Sequence, residues 1–277
     1  MFSALEHRAC DEGQPLDGSY LEDAARDAPR FEARYKLGTR LIVQSGIRNV
    51  LEIAAGHSPR GLQMTEDPTV TYVETDLSGI IAQKQAAVRT VGVTRSNLFI
   101  EQANALNGDD LVHAARHFTH GPIAVINEGL LSYLTFEEKE NMARTVHRLL
   151  KQFGGMWVTP DIPLAEHMRN ERVGRSITHD SARIGRNLET NRFVSEDAAR
   201  EFFEQLGFSI ERHTLREVER DLVSLKGTNV PPEDIAASLN RPVFVMRAGG
   251  ELAEEDEQIP VSGRETDIME RPEITLP

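Results

Sequence analysis

Short apolar runs alternate with longer amphipathic stretches over the first 160 or so residues. Asn49–Ala54, Val70–Thr75, Leu98–Gln102, Ile123–Asn127 and Gly155–Thr159 are brief and apolar, and read as strands. Between them, Pro59–Met64, Ser78–Thr90, Gly108–His117 and Thr135–Phe153 read as helices. Thr135-x-x-Glu138 gives the last of these a capping box. Ahead of the first strand, residues 18–46 carry Leu21, Ala24, Ala25, Phe31, Tyr35, Leu37, Leu41 and Ile42 at helical spacing. Strand and helix in alternation predict crossover units, and so a mostly parallel sheet with helices on both faces. Further on, a helix over Ser195–Leu206 precedes strand signals at Phe208–His213 and Pro242–Arg247. Two late strands with a long connection suit an antiparallel pair at one sheet edge. Residues 160–194 break the rhythm and read as an insertion over the sheet.

Composition narrows the picture. With 277 residues, 39% hydrophobic and 27% charged, the chain suits one globular domain with a sizeable core. The net charge of -13 argues against a surface that coats nucleic acid. From Glu251 to the end there are nine acids and two arginines, so residues 251–277 are expected to lie outside the fold as a disordered tail. Residues 1–17 are expected to be a flexible N-terminus, and 18–250 a single domain. One cysteine, Cys10, excludes an intramolecular disulfide and points to a reducing compartment. No apolar run reaches the roughly 18 residues of a membrane span. "MFSALEHRACDEG" lacks the basic start and apolar core of a signal peptide. The expectation is a cytoplasmic protein without membrane or nucleic-acid partners. No His, Asp or Cys cluster has metal-ligand spacing.

A sheet of this kind binds ligands at the carboxyl ends of its strands. In "NVLEIAAGHSPRGLQM" the first strand, with Glu52 inside it, runs into Ala54-Ala55-Gly56 and then a helix. The small turn lets a ligand approach the backbone, and the helix start offers free N–H groups. The full G-x-G-x-x-G fingerprint of a dinucleotide site is missing. Asp76 closes the second strand, twenty residues past Gly56, where an acid can take both ribose hydroxyls. Glu74 is its competitor, and a helix N-cap is the plainer role for Asp76. Asn104 follows the third strand, either reading an adenine edge or forming a turn. Glu128 ends the fourth strand beside Gly129, and needs a buried partner or a ligand. Tyr133 nearby offers a ring face and a hydroxyl. Together these ends fit a nucleoside whose far end is an amino acid rather than a pyrophosphate, which is S-adenosylmethionine.

The segments "LEIAAGHSPRGL", "YVETDLSGIIAQK" and "INEGLLSYLTFEEKENMA", in that order, resemble the leucine carboxyl methyltransferase group of class I S-adenosylmethionine-dependent methyltransferases, which includes polyketide O-methyltransferases of the tetracenomycin type. The resemblance implies a doubly wound, Rossmann-like α/β fold: a seven-stranded mostly parallel sheet, an N-terminal helical lid and an insertion after strand 5. It implies that Asp76 holds the ribose, Gly56 lies under the methionine portion, and Glu128 contacts the cofactor's amino group or its surroundings. It also implies that Arg34, in "FEARYKLGTR", reaches the cofactor carboxylate. The whole candidate cofactor-binding set is Arg34, Glu52, Ala54, Gly56, Asp76, Leu77, Asn104, Ala105, Glu128 and Tyr133. Where the group often carries Asp in its third motif, this chain has Asn104.

The expected activity is O-methylation of a carboxylate or phenol on a small, polyketide-like molecule. A carboxylate nucleophile needs no base, whereas a phenol profits from one. His167 and His179, in the insertion, are the base candidates, with an ordinary surface histidine as the plainer reading of each. Between His167 and Asn187, five arginines (Arg169, Arg172, Arg175, Arg183 and Arg186) face two acids, Glu171 and Asp180. That basic island either receives an anionic acceptor or is a solvated face. Two rival classes are a catalytically silent S-adenosylmethionine or S-adenosylhomocysteine binder acting through a partner, and a nicotinamide oxidoreductase.

Overall fold

The computed structural model describes residues 18–170, 190–226 and 230–249. A long helix α1 (Gly18–Ser45) leads into β1 (Asn49–Ile53), α2 (Arg60–Met64), β2 (Thr71–Asp76), α3 (Ser78–Val91) and β3 (Leu98–Gln102). The chain continues through α4 (Gly108–Ala114), β4 (Ile123–Asn127), α5 (Phe136–Phe153), β5 (Gly155–Thr159) and α6 (Ala165–Asn170). It ends with α7 (Glu196–Gln205), β6 (Phe208–Thr214), α8 (Pro232–Leu239) and β7 (Pro242–Ala248). The seven strands form one sheet in the order β3-β2-β1-β4-β5-β7-β6. The first five are parallel, and β7 runs antiparallel between β5 and β6. The late pair expected at one edge is therefore present.

Each face of the sheet has its own core, as the alternation of a strand requires. Leu51, Ile53, Val73, Val125, Trp157 and Phe244 pack with α5 and α7. Val50, Tyr72, Ala124, Ile126 and Val158 pack with Leu37 and Ile42 of α1 on the other face. β4 is buried along its whole length, which explains its unbroken apolar reading. The capping box holds: Thr135 Oγ1 accepts from the Glu138 N–H, and the Glu138 carboxylate accepts from the Thr135 N–H.

The elements that periodicity missed are short. Leu131–Tyr133 and Leu215–Asp221 are 3-10 turns, and α8 starts on Pro232. Proline fits a first helical turn, because its fixed φ suits it and its missing N–H would be orphaned there. Both described ends of the insertion are pinned to the body. Leu164 bridges Phe193, and the Phe193 N–H donates to the Pro163 carbonyl at 2.9 Å. The buried Lys139 ammonium donates to the carbonyls of Leu134 and Asn191. No helix among the described residues is long and apolar enough to cross a membrane.

Chain order reverses between β1 and β4. From β1 the chain winds outward to β3, then returns to β4 on the other side. That switch point opens a crevice at the carboxyl ends of β1 and β4, where open sheets of this type take ligands.

The β4–β5 contact has no slack at Gly155. This residue sits at φ +108, and a Cβ there would lie 2.0 Å from the Ile123 carbonyl oxygen. Gly155→Ala is therefore expected to cost about 3 kcal/mol or more, from strain plus overlap with backbone. Urea unfolding against wild type reads the loss, and an unchanged midpoint would contradict it.

Candidate functional site

The floor of the crevice is a buried ionic web. Arg60, in the first turn of α2, has no exposed surface. One guanidinium nitrogen donates to Glu52 of β1, and Nη2 donates to Glu128 Oε2, just past β4, at 2.8 Å. Nε donates to Thr39 Oγ1 of α1 at 3.0 Å, and the Tyr35 ring lies 4.5 Å from the guanidinium carbon. Arg34 of α1 extends the web. Its Nε is 3.4 Å from Glu128 Oε1, and its Nη1 is 3.5 Å from Asp161 Oδ1 beyond β5. Asp161 Oδ2 also accepts from the Gly129 N–H at 2.5 Å. One arginine thus clamps the exits of β1 and β4, and a second ties β4 to β5.

Burial opposes the charge of Arg60, but Glu52, Tyr72 and Glu128 outweigh it and raise its pKa. For Arg34, burial is again the largest opposing influence, and Asp161 and Glu128 overcome it. The Tyr72 hydroxyl, which donates to Glu52 Oε2 at 2.8 Å, is pushed well up by burial and then by Glu52. Burial also pushes Tyr35 up to about 12.

The turn after β1 is strained and open. Ala54 sits at φ +54, the one non-glycine residue with positive φ among those described. Such a conformation costs an L-residue roughly 1–2 kcal/mol. Gly56 follows at φ +53, and a Cβ there would meet nothing within 4 Å. The Gly56 N–H donates to Asp76 Oδ2 at 2.7 Å, and the Leu77 N–H donates to Asp76 Oδ1 at 2.7 Å. Leu77 stands 58% exposed beside them, an apolar surface at the rim. Gly61, the second glycine of the segment, serves packing. A Cβ there would lie 2.4 Å from Glu74 Oε1.

Several sequence-based expectations change here. Glu52 is buried, and both its oxygens are taken by Arg60 and Tyr72, so it holds the arginine instead of facing the crevice. Glu74 is buried, with Lys84 Nζ 2.8 Å from its Oε2. Asn104 forms a turn: its Oδ1 accepts from the Leu106 N–H at 3.0 Å, while its own N–H donates to Asp110 at 2.9 Å. Ala105 is half-buried next to it, and Tyr133 is half-buried in its 3-10 turn. His167 is no surface histidine. It is buried on α6, with Nε2 3.9 Å from Glu166. His179, Arg172, Arg175, Arg183 and Arg186 lie outside the described residues. Arg60 is the residue the sequence reading passed over. Its signal was an acid inside a buried strand, Glu52, with a cation eight positions on.

The turn, the acid at the exit of β2, the exposed leucine and the arginine-braced acid of β4 fit a nucleoside carrying an amino acid. Residues 36–147 match the family described as leucine carboxyl methyltransferase. No curated protein matches the chain by sequence. Among solved structures, the chain is similar to PigF with SAH, at 14% identity and a TM-score of 0.50 over 76% of this chain and 53% of that one. It therefore spans about half the length of PigF. It is also similar to the methyltransferase domain of bacterial CtHen1-C, at 11% identity and a TM-score of 0.52, over 80% of this chain and all of that one. At such identities the likeness concerns the fold, and the order β3-β2-β1-β4-β5-β7-β6 agrees with it.

Two predictions follow from the buried charges. Arg60→Met leaves Glu52 buried without its cation, so it should destabilise by about 3–5 kcal/mol. Adding Glu52→Gln removes the stranded charge and should restore part of that in urea unfolding. A double variant no more stable than Arg60→Met alone would refute the assignment. Burial also pushes Glu74 from 4.5 up to about 7 despite Lys84. A raised carboxyl pKa favours the protonated fold. That contribution is complete below about pH 4.5 and is lost as the pH rises through about 7. Glu74→Gln should flatten the stability–pH curve across this window, and a curve parallel to wild type would rule the carboxyl out as its source.

Proposed function

We propose that this chain is an S-adenosylmethionine-dependent methyltransferase that acts on an oxygen of a small acidic molecule, with a carboxylate favoured over a phenol. The observation carrying the cofactor part of the proposal is the 2.7 Å contact between Asp76 and the Gly56 N–H. It brings the ribose acid and the small-residue turn into one crevice.

The roles divide along that crevice. Asp76 takes the ribose hydroxyls. Leu77 offers the adenine an apolar face. Asn104 has its amide oxygen tied to Leu106, so it presents its NH2 as a donor to a ring nitrogen. Ala54, Gly56 and Ala105 let the backbone come close. Glu128 meets the amino group and Arg34 the carboxylate of the methionine end, with Tyr133 beside them. Bound S-adenosylmethionine supplies a methyl group on a positively charged sulfur. The chain's own work is to hold the acceptor oxygen close to that methyl and in line with it, and to exclude water.

A carboxylate acceptor is favoured because it arrives ionised. The base candidate that the structure describes, His167, is buried on α6. The reading keeps residues 18–250 as one methyltransferase domain, with 160–194 as its substrate-side insertion. The basic residues of that insertion would draw an anion toward the crevice, an effect that fades with salt.

The test is an S-adenosylhomocysteine-release assay over matched carboxylic acids, their amides and phenols. Turnover confined to acids supports the proposal, and turnover of neutral phenols alone contradicts it. Binding of the cofactor with no turnover of any class would favour the silent-binder reading. Asp76→Ala should weaken S-adenosylhomocysteine binding by about 2–4 kcal/mol, through loss of charge-assisted hydrogen bonds. A folded Asp76→Ala variant that binds like wild type in calorimetry would show the ribose assignment to be wrong.

A further inference from the structure

Glu52 and Glu74 are partners in register on the adjacent parallel strands β1 and β2. Residues so paired project to the same face, from strands about 4.8 Å apart. Neither is more than 1% exposed. The sheet therefore holds two carboxyl groups side by side, away from water. Each has a cation from a different helix. Arg60 of α2 donates to Glu52, and Lys84 Nζ of α3 lies 2.8 Å from Glu74 Oε2. Ile100 of β3, the other sheet neighbour of Glu74, is apolar. Tyr72, two residues back along β2, donates its hydroxyl to Glu52. Tyr35 of α1 is near enough for the Glu74 charge to act on its hydroxyl. α2 lies directly on Glu74 at Gly61, where a Cβ would collide with Oε1.

Two adjacent carboxyl groups in a dry site resist carrying two charges. Glu52 is supplied with a guanidinium and a tyrosine hydroxyl, whereas Glu74 faces a single ammonium. Burial raises the Glu74 pKa, Lys84 opposes this, and Glu52 adds to it, so that the group titrates at about 7. Asp76, the acid assigned to the cofactor ribose, follows Glu74 by two residues on the same strand. The two therefore share a face and lie about 7 Å apart along it. In S-adenosylmethionine the sulfonium is joined to the ribose through one carbon. A proton on Glu74 and a cation at that sulfur thus compete across a short, largely dry path.

We propose that Glu74 is a proton switch that reads the charge of the cofactor: binding of the sulfonium form expels a proton from Glu74, and binding of the product, whose sulfur is uncharged, does not. The sulfonium ligand comes from the proposed methyl transfer, on which this switch rests. S-adenosylmethionine and S-adenosylhomocysteine differ in charge only at that sulfur, so the switch gives the site a means to tell them apart. The sign follows from linkage. A ligand that favours the ionised carboxyl binds more tightly as the pH rises through the Glu74 range, and the gain is lost as the pH falls below it. A unit charge about 10 Å away, at the permittivity effective inside proteins, is worth about tenfold.

Binding of S-adenosylmethionine and of S-adenosylhomocysteine is measured by calorimetry on wild type and Glu74→Gln. The range runs from about pH 6 to about pH 8, around the Glu74 titration. Buffers of different protonation enthalpy give the number of protons released. The amino groups of the nucleosides titrate alike with both proteins, so a difference between the proteins belongs to Glu74. The ratio of the S-adenosylmethionine to the S-adenosylhomocysteine affinity should rise about tenfold more across this range in wild type than in Glu74→Gln. Near pH 7, wild type should release more protons on binding S-adenosylmethionine than the variant does. Should Glu74→Gln fold poorly by urea unfolding, Lys84→Met carries the comparison. It removes the cation that favours the ionised carboxyl, so the rise should move to higher pH, and a rise that stays in place overturns the proposal. Equal proton release in wild type and Glu74→Gln, with both nucleosides bound, overturns the switch and leaves the methyltransferase reading standing. No binding of either nucleoside overturns both.

Discussion

A guanidinium with no exposed surface cannot stand alone, and Arg60 makes the rest of the site follow from that constraint. Its charge needs carboxylates, and the nearest are Glu52 inside β1 and Glu128 at the end of β4. These strands flank the switch point of the sheet. The arginine therefore fixes the width of the crevice. Its hydrogen bond to Thr39 and its stacking on Tyr35 also fix α1 against it. Breaking such a buried group on one side is far more costly than never having had it. The web is thus better understood as a device for shape than as a source of net stability.

Everything that would touch a cofactor hangs on this frame. Glu128 faces Arg60 with one oxygen and Arg34 with the other, so its orientation is set before any ligand arrives. Asp76 is likewise preset, by the N–H groups of Gly56 and Leu77. The strained Ala54 turn sits directly above the braced strand, and strain of that kind persists only where the surroundings impose it. Preorganisation of this sort lets binding free energy go into affinity and alignment instead of ordering the site.

Much of the fold was legible because its signals are local. The apolar runs of all seven strands and the Thr135 capping box mark elements whose boundaries the structure moves by at most a residue or so. The strand exits were legible too, since a parallel sheet puts its ligands there whatever the sequence. What stayed hidden depends on pairing across distance. Arg60 meets Glu52 eight positions away and Glu128 sixty-eight away, and no period in the sequence records that. Glu52 looked like a ligand because its partner was not recognised. Asn104 reads equally as an adenine reader or a turn former, and only the bond from the Leu106 N–H to its oxygen shows that the turn is formed. α8 was missed because Pro231 and Pro232 signal a break and a helix start equally well.

The most direct measurement is the affinity of Glu52→Gln for S-adenosylhomocysteine. Glu52 is buried, bonded to Arg60 and Tyr72, and so can act on a ligand only through the arginine it holds. If the web shapes the crevice, the folded variant should bind about tenfold more weakly or worse by calorimetry, a loss of about 1.4 kcal/mol. A folded Glu52→Gln protein that binds as tightly as wild type would contradict the account.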